Sequence, residues 1–194
     1  MSVQDETSQL AGKAVAPQVG DRVLDACAGS GTKSRQIRES GEGFSLVSMD
    51  VDERRLRLSS CRENSLVADG LATPFRGEVF DKILVDAPCS SLGIIRKHPE
   101  IKWRRKESDI ALFGRTQRAL VKGLWGNLKR GGRLIYSVCS FEPEETTEVV
   151  GSLAKELQFV LENPFPFLFN KEYFLSLPSE TGMDGFFIAR LRKL

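Results

Sequence analysis

The sequence predicts an α/β fold built on a doubly wound, mostly parallel β-sheet. Short apolar runs rich in Val, Ile and Leu alternate with longer stretches of helical spacing along most of the 194 residues. The short runs are continuously apolar, as expected for strands that helices cover on both faces. Because strand, helix and strand follow one another repeatedly, we expect right-handed crossovers and one parallel sheet.

The strands are predicted from these apolar runs. They lie at 22–27, 44–50, 80–86 and 133–139, with a weaker and shorter candidate at 64–68. A last run at 185–192 alternates between apolar and polar residues, and we expect it to close the sheet as an antiparallel strand. The Pro- and Phe-rich segments 163–169 and 177–179 predict loops.

The helices are predicted near 5–16, 32–40, 52–62, 107–128 and 143–157. Asp52 and Ser108 are expected to cap the amino ends of two of them, because their side chains can accept hydrogen bonds from free backbone amides. Gly41, and Gly131 with Gly132, are expected to end two helices. With no internal repeat or long linker, residues 1–194 are predicted to form a single domain.

Composition excludes several classes of protein. Lys and Arg total 28 and Asp and Glu total 26, so the formal charge of +2 excludes a uniformly basic nucleic-acid coat. No apolar run reaches the roughly 18 residues that cross a membrane, and the amino end does not resemble a signal peptide. These features predict a cytoplasmic protein, and we expect a monomer.

Four cysteines are left to explain, and in a reducing compartment we expect free thiols. They form no Cys-x-x-Cys pair and the chain has a single histidine, so we predict no metal site. Cys27 and Cys61 are interpreted as small buried apolar side chains.

A glycine-bearing loop at 25–33 follows the first predicted strand, where ligands bind in open α/β sheets. Gly29 and Gly31 allow a tight turn beside the amide donors of a helix start, although Ser34 replaces the third glycine of the dinucleotide fingerprint. Asp50, about 20 residues further on, can accept both hydroxyls of a ribose. Together they indicate an adenosine-containing cofactor, either a dinucleotide or S-adenosylmethionine.

Two further cysteines, Cys89 and Cys139, follow the predicted strands 80–86 and 133–139, and we expect them side by side, facing the cofactor. Methylation of a pyrimidine at carbon 5 needs a nucleophile that first adds to carbon 6, and a thiolate is suited to this. A thiol of ordinary pKa is only a few per cent ionised at neutral pH, so other groups in the site must favour its ionisation or activate the base. Asp86 could neutralise the charge that develops on the base. The alternative is an inert pair of thiols.

The chain resembles the RNA cytosine-5 methyltransferases of the Sun family over nearly its whole length. The matching segments are 4–9, 23–28, 49–53, 86–90, 93–103, 136–140, 143–145 and 184–187. This resemblance implies a Rossmann-like methyltransferase fold with a seven-stranded sheet, S-adenosylmethionine as cofactor and an RNA substrate, with ribosomal RNA expected.

The resemblance also implies roles for individual residues. By this resemblance Cys139 is the nucleophile that attacks carbon 6, and Cys89 assists release of the enzyme from the methylated base. Asp86 binds the base and also contacts the cofactor. The ribose is expected on Asp50 and the adenine near Asp69, although Asp69 could equally cap a turn. The methionine part of the cofactor is expected against Cys27, Ala28, Gly29, Ser30, Gly31, Thr32 and Lys33.

The chain departs from the family pattern at three points. Thr32 stands in place of a glycine, and Val138 replaces the usual threonine before the nucleophile. The amino-terminal RNA-binding region of the family is expected to be absent, which would make the chain either a fragment or a natural short form.

A basic stretch at 92–106 carries six cations against Glu100 alone, a local charge of +5. It predicts an RNA-binding rim beside a pocket for an everted cytosine, with a solvated surface loop as the alternative. The predicted contacts are Arg96, Lys97, His98, Lys102, Trp103, Arg104 and Arg105. Two other functions stay open: a catalytically impaired RNA-binding domain, and a nicotinamide-dependent oxidoreductase, which would not explain the paired cysteines.

Overall fold

The computed structural model describes residues 4–59 and 64–194. One mixed β-sheet lies between helices on both faces. The strands are β1 Arg22–Asp25, β2 Ser45–Asp50, β3 Ser65–Val67, β4 Phe80–Asp86, β5 Leu128–Val138, β6 Phe159–Glu162, β7 Tyr173–Ser176 and β8 Phe186–Lys193. The helices are α1 Glu6–Val15, α2 Thr32–Glu39, α3 Glu53–Arg57, α4 Ile101–Arg104, α5 Glu107–Trp125, α6 Thr147–Leu153 and α7 Pro178–Thr181. Two short 3₁₀ helices lie at Leu92–Ile94 and Pro143–Glu145.

The sheet order is β3-β2-β1-β4-β5-β8-β6. The first five strands are parallel, and β8 runs antiparallel to β5. The predicted doubly wound sheet with an antiparallel closing strand is therefore confirmed. The chain order reverses between β1 and β4, which is the position where open α/β sheets bind ligands.

Alternate residues of the central strands enter two hydrophobic layers. In β4, Ile83 and Val85 pack in the layer that contains α5 and α6, whereas Leu84 packs in the layer of α1 and α2. Burial of both faces explains why these strands are continuously apolar. No helix in the part of the chain that the structure describes is long and apolar enough to cross a membrane.

Within residues 4–59 and 64–194 the sheet contains eight strands, one more than predicted. β6 pairs with residues 190–193 of β8, and β7 pairs with residues 186–189, so the two short strands share one long partner. Neither segment has the strand periodicity that would have predicted it. They become strands because β8 offers them an unpaired edge, which local sequence does not reveal.

The boundaries of α5 and β5 also differ from expectation. The helix ends at Trp125 instead of residue 128, and β5 begins at Leu128. Gly131 and Gly132 do not end the helix. They lie within β5, in an excursion where the pairing with β4 jumps from Leu128 to residue 133, and Gly131 has φ +74°.

The helix caps were predicted in part. Asp52 caps α3 as expected, accepting hydrogen bonds from the backbone N–H groups of Arg54 and Arg55. Ser108 does not cap α5: Lys106 precedes the first turn, and its N–H donates to the Asp109 carboxylate at 3.0 Å.

The other predicted helices are shorter than expected or incompletely described. The predicted helix 143–157 is a 3₁₀ turn followed by α6. Cys61 and the end of the predicted helix 52–62 lie outside the described residues.

Gly114 lets α5 pack directly on the turn at Pro143–Glu145. A Cβ atom at Gly114 would lie 2.3 Å from the carbonyl oxygen of Glu144. We expect Gly114→Ala to lower the free energy of unfolding by about 1–3 kcal/mol, because either helix or turn must move.

Gly151→Ala on α6 is the matched control, since its added Cβ meets nothing within 4 Å. Higher helix propensity should make this variant slightly more stable than the parent, by up to about 1 kcal/mol. Urea denaturation measures the free energy of unfolding of both variants. Equal effects would contradict the tight packing of α5 on the turn.

Candidate active site

A cavity of about 740 Å³ opens at the carboxyl ends of β1, β2, β4 and β5. Most of the residues predicted for cofactor and catalysis line it: Cys27, Ala28, Ser30, Thr32, Lys33, Asp50, Asp69, Asp86, Cys89 and Cys139. Gly29 and Gly31 instead lie in the turn that leads into α2, with φ +55° and +80°. Arg55, Ser91 and Phe113 also line the cavity and were missed, because they follow no motif that the sequence analysis used.

Ser34 explains how the glycine loop keeps its conformation without the third glycine of the fingerprint. The Ser34 hydroxyl is buried, donates to the Asp25 carboxylate at 2.6 Å and accepts from the Ser48 hydroxyl at 2.9 Å. These bonds tie α2 to the ends of β1 and β2. The serine therefore holds the loop in place by hydrogen bonding instead of by close backbone approach.

Asp50 lies at the end of β2 and is 3% exposed. Its carboxylate accepts the N–H groups of Gly29 at 2.7 Å and Asp52 at 2.9 Å, with the Arg55 guanidinium 3.8 Å away. A carboxylate has about four acceptor positions, so roughly two stay available to ribose hydroxyls. The placement suits the predicted ribose contact.

Asp69 caps a turn, since its carboxylate accepts the N–H of Leu71 at 2.8 Å. It also lines the cavity together with the half-exposed Leu71. The turn-capping alternative is therefore observed, and an adenine contact by the same side chain stays a prediction.

Lys33 and Asp86 form an ion pair of 2.6 Å inside the cavity. The second oxygen of Asp86 accepts the Ser137 hydroxyl at 2.9 Å. Burial by itself would lower the pKa of Lys33, but its attraction to Asp86 and the hydrogen bond between them raise that pKa above the usual value. Lys33 is thus a fixed positive charge beside the carboxylate predicted to hold the base.

Cys89 and Cys139 meet as predicted, with their sulfur atoms 3.2 Å apart, and both are free thiols. The hydrogen bond with Cys89 lowers the pKa of Cys139 in spite of burial, and Ser91 Oγ, 3.6 Å from Cys139 Sγ, assists. The same bond and burial raise the pKa of Cys89. Cys139 is therefore the thiol that ionises first, and Cys89 keeps its proton.

Cys27 differs from this pair. Burial, reinforced by neighbouring carboxylates, raises the pKa of its thiol well above the usual range. A thiol that resists ionisation is a poor nucleophile, so Cys27 lines the cavity without competing with Cys139 for the base.

The basic stretch at 92–106 divides into two parts. The first part anchors the segment: Asp184 is 1% exposed and pairs with Arg96 at 3.0 Å and Lys97 at 2.7 Å. Lys97 also pairs with Asp5, and His98 Nδ1 lies 3.3 Å from the Glu100 carboxylate. These side chains hold the segment that follows Cys89 against the amino end of the chain and the start of β8.

The second part faces outwards. Lys102, Trp103 and Arg104 are exposed on α4, and Trp103 is 84% exposed. Arg105 points back to the cavity, where its guanidinium donates to the Ser90 carbonyl at 2.9 Å and lies 5.0 Å from the centre of the Phe113 ring. Only this second part offers cations without a carboxylate partner in the contacts described for residues 92–106.

Comparison with known proteins identifies the family. The family model described as 16S rRNA methyltransferase RsmB/F matches residues 13–192. The chain belongs to this family. It is 40% identical to Ribosomal RNA small subunit methyltransferase B of Vibrio cholerae and 37% identical to the protein of that name from Pasteurella multocida. All of this chain is covered in both comparisons, but only 46% and 47% of those proteins, so the chain spans about half their length.

A solved structure supports the same family assignment. NSun6 from Pyrococcus horikoshii with SFG, an S-adenosylmethionine analogue, superimposes with a TM-score of 0.86 at 28% identity, covering 98% of this chain and 52% of that one. The resemblance to the Sun family and the Rossmann-like methyltransferase fold are thereby confirmed.

Family membership also decides between the two cofactors that the loop and Asp50 left open. The cofactor of RsmB/F methyltransferases is S-adenosylmethionine. The site fits this group, since the cavity combines the buried carboxylate of Asp50 and the exposed carboxylate of Asp69 with apolar surface from Val51 and Leu71. Within the described residues, no group of three His, Cys, Asp or Glu side chains could hold a metal ion.

Asp25 gives a test of the network beneath the glycine loop. Burial raises the pKa of Asp25 from 3.8 to about 6, although the Ser34 hydroxyl opposes the shift. The protonated form therefore stabilises the folded state below pH 3.8, and that stability is lost as the pH rises to about 6.

We expect Asp25→Asn, which cannot ionise, to gain stability relative to the parent between pH 4 and 7, by roughly 3 kcal/mol at most. Thermal denaturation at several pH values measures the difference. A difference that does not change with pH would contradict ionisation of Asp25 in this range.

Proposed function

We propose that this domain methylates carbon 5 of a cytosine in RNA, with Cys139 as the nucleophile. The observation that carries the proposal is the pair of free thiols, 3.2 Å apart, beside the Lys33–Asp86 ion pair and in the cofactor cavity. The relatives of this chain are named as ribosomal RNA methyltransferases, so we propose ribosomal RNA as the substrate class. We propose the cytoplasm as the compartment.

The first step is addition to the base. The Cys139 thiolate forms a bond with carbon 6, and the electron pair of the carbon 5–carbon 6 double bond moves to form a double bond between carbons 4 and 5. The pair of the carbon 4–nitrogen 3 double bond moves to nitrogen 3, where negative charge develops. Asp86 and Lys33 are placed to meet this charge: a proton shared between Asp86 and nitrogen 3 neutralises it, and the Lys33 ammonium, whose Nζ lies 2.6 Å from Oδ2 of Asp86, adds a fixed positive charge beside them. Carbon 5 thereby becomes a nucleophile.

The later steps restore the ring. When bound, S-adenosylmethionine supplies the methyl group. Carbon 5 then loses its proton to a base, that electron pair re-forms the double bond, and Cys139 leaves carbon 6 as a thiolate. Cys89 is in contact with Cys139 and is placed to assist this release.

The pKa order of the two thiols supports this division of roles. The thiol that ionises first, Cys139, can attack, whereas Cys89 keeps its proton and donates a hydrogen bond to it. Since the thiolate is the reactive form, an attack by Cys89 would require the less acidic thiol of the pair.

The exposed part of the basic stretch is proposed to bind RNA beside the cavity. Lys102 and Arg104 offer charges to phosphates, and Trp103 offers a ring on which an unpaired base can stack. Eversion of the target cytosine is required, because carbon 6 is inaccessible to a thiol within a stacked helix.

The roles of the thiols predict opposite outcomes for two substitutions. Cys139→Ala should abolish methylation of ribosomal RNA and form no covalent adduct. Cys89→Ala should still add to the base but release it slowly, so an RNA–protein adduct should accumulate on denaturing gels in the presence of S-adenosylmethionine.

The double variant Cys89→Ala/Cys139→Ala is the control and should show no adduct. Accumulation with Cys139→Ala instead would reverse the assigned roles. A catalytically impaired RNA-binding domain, the alternative function, would give neither methylation nor adduct with the parent or any variant.

Charge reversal tests the RNA-binding surface. We expect Arg104→Glu to weaken RNA binding and to lower the slope of log affinity against log salt concentration by about 0.7 for each phosphate that the protein no longer neutralises. Fluorescence anisotropy with labelled RNA at several salt concentrations measures both the affinity and the slope.

Arg130→Glu is the matched control, because Arg130 is exposed near the amino end of β5, at the opposite edge of the sheet from the cavity. It should bind RNA almost as the parent does. Equal reductions in affinity for the two variants would contradict the proposal that α4 binds RNA.

A further inference from the structure

Glu145 is a fully buried carboxylate between the segments that carry the two active-site thiols. It ends the short 3₁₀ helix that begins at Pro143. Although it lies in a segment that resembles the Sun family, the steps proposed above do not use it. Its hydrogen bonds connect it to the residues next to both thiols.

The carboxylate joins the two catalytic segments directly. Ser90, which follows Cys89, donates its backbone N–H to Oε1 of Glu145 at 2.8 Å and its hydroxyl to Oε2 at 2.5 Å. Ser140, which follows Cys139, donates its hydroxyl to Oε2 at 2.7 Å. One carboxylate therefore bonds to the residue next to each thiol.

A second set of bonds fixes the carboxylate itself. Gln117 on α5 donates to Oε1 of Glu145 at 3.1 Å and to the Pro88 carbonyl at 3.0 Å. The Tyr136 hydroxyl is buried and lies 2.9 Å from Oε1 of Gln117 and 2.6 Å from the Glu145 carbonyl oxygen. Both β5 and α5 thus hold the segment in one position.

Each donor to this carboxylate is a neutral group. Among residues 4–59 and 64–194, no lysine or arginine forms an ion pair with Glu145. Burial of a carboxylate without a cation is costly unless its acceptor positions are filled, and here four donors fill them. Three of those four belong to residues adjacent to the thiols, which is more than packing would require.

We infer that Glu145 is a positioning residue that sets the distance between the sulfur atoms of Cys89 and Cys139. The inference rests on the proposed function for its catalytic meaning. Glu145 acts through Ser90 and Ser140, and through the negative charge that it places next to Cys89.

The raised pKa of Cys89 is consistent with a negative charge on Glu145 near this thiol. The hydrogen bond with Cys139 and burial raise the pKa of Cys89 most, and the charge of Glu145 adds to the same shift. Removing the charge should bring the pKa values of the two thiols closer together. Cys139 would then lose part of its advantage as the thiolate.

The test compares Glu145→Gln with Glu148→Gln. Glu148 carries the same side chain three residues further on but is exposed in the first turn of α6. The first readout is the rate at which iodoacetamide alkylates each thiol as a function of pH, followed by peptide mass spectrometry. The parent should be modified at Cys139 before Cys89, and Glu145→Gln should reduce this preference several-fold, whereas Glu148→Gln should not.

The second readout is steady-state methylation of RNA, which gives kcat. A displacement of about 1 Å at a reacting group can cost roughly 100-fold in rate, and we expect a loss of that order in kcat for Glu145→Gln with little change in S-adenosylmethionine binding. Ser140→Ala, which removes one bond without changing the charge, should give a smaller loss in kcat. Circular dichroism confirms that each variant is folded.

The outcomes separate this inference from the proposed function. If Glu145→Gln is folded and keeps the parent's alkylation preference, the positioning role is wrong, whatever the methylation result. If the preference falls but the parent methylates no RNA, the positioning role stands and the proposed reaction is wrong. Should Glu145→Gln fail to fold, Ser140→Ala decides, because unchanged alkylation and kcat in that variant would also overturn the inference.

Discussion

The site depends on the parallel pairing of β4 with β5. In this register Asp86 lies opposite Ser137, so the two strands end side by side and release their chains in the same direction. Cys89 follows three residues after Asp86, and Cys139 two residues after Ser137. Hydrogen bonding along the backbone therefore brings two thiols that are 50 residues apart in the chain into contact.

Hydrogen bonding, burial and nearby charges together make this contact chemically useful. Lys33 pairs with Asp86 on one side of the thiols, and the Glu145 carboxylate lies on the other side. The hydrogen bond from Cys89 lowers the pKa of Cys139 most, and the charge of Lys33 acts in the same direction while Asp86 opposes it. The bond with Cys139 and burial raise the pKa of Cys89 most, and the charge of Glu145 adds to that rise. Two chemically identical side chains thus acquire different proton affinities from their surroundings.

The closing strand connects this site to the surface proposed to bind RNA. The N–H of Gly185, just before β8, donates to the Gly93 carbonyl at 2.8 Å, and Gly93 donates to the Cys139 carbonyl at 3.0 Å. A Cβ atom at Gly93 would lie 1.9 Å from the carbonyl oxygen of Gly185, so the backbones could not approach in this way with a larger residue. Together with Asp184, these contacts hold the segment between Cys89 and α4, and the exposed charges of α4 have a defined position relative to the thiols.

The alternation of strands and helices, the glycine loop with Asp50 and the two cysteines at strand ends can all be predicted from the amino-acid sequence. These features follow from local patterns, because a doubly covered strand must be apolar throughout and a parallel sheet gathers its strand ends at one edge. Three other features follow only from the packed fold: β6 and β7 are strands, Arg96 and Lys97 pair with Asp184, and Glu145 is buried against the residues that follow the two thiols. Each of these depends on a partner from another element of the fold, and a side chain's spacing in its own segment carries no record of that partner.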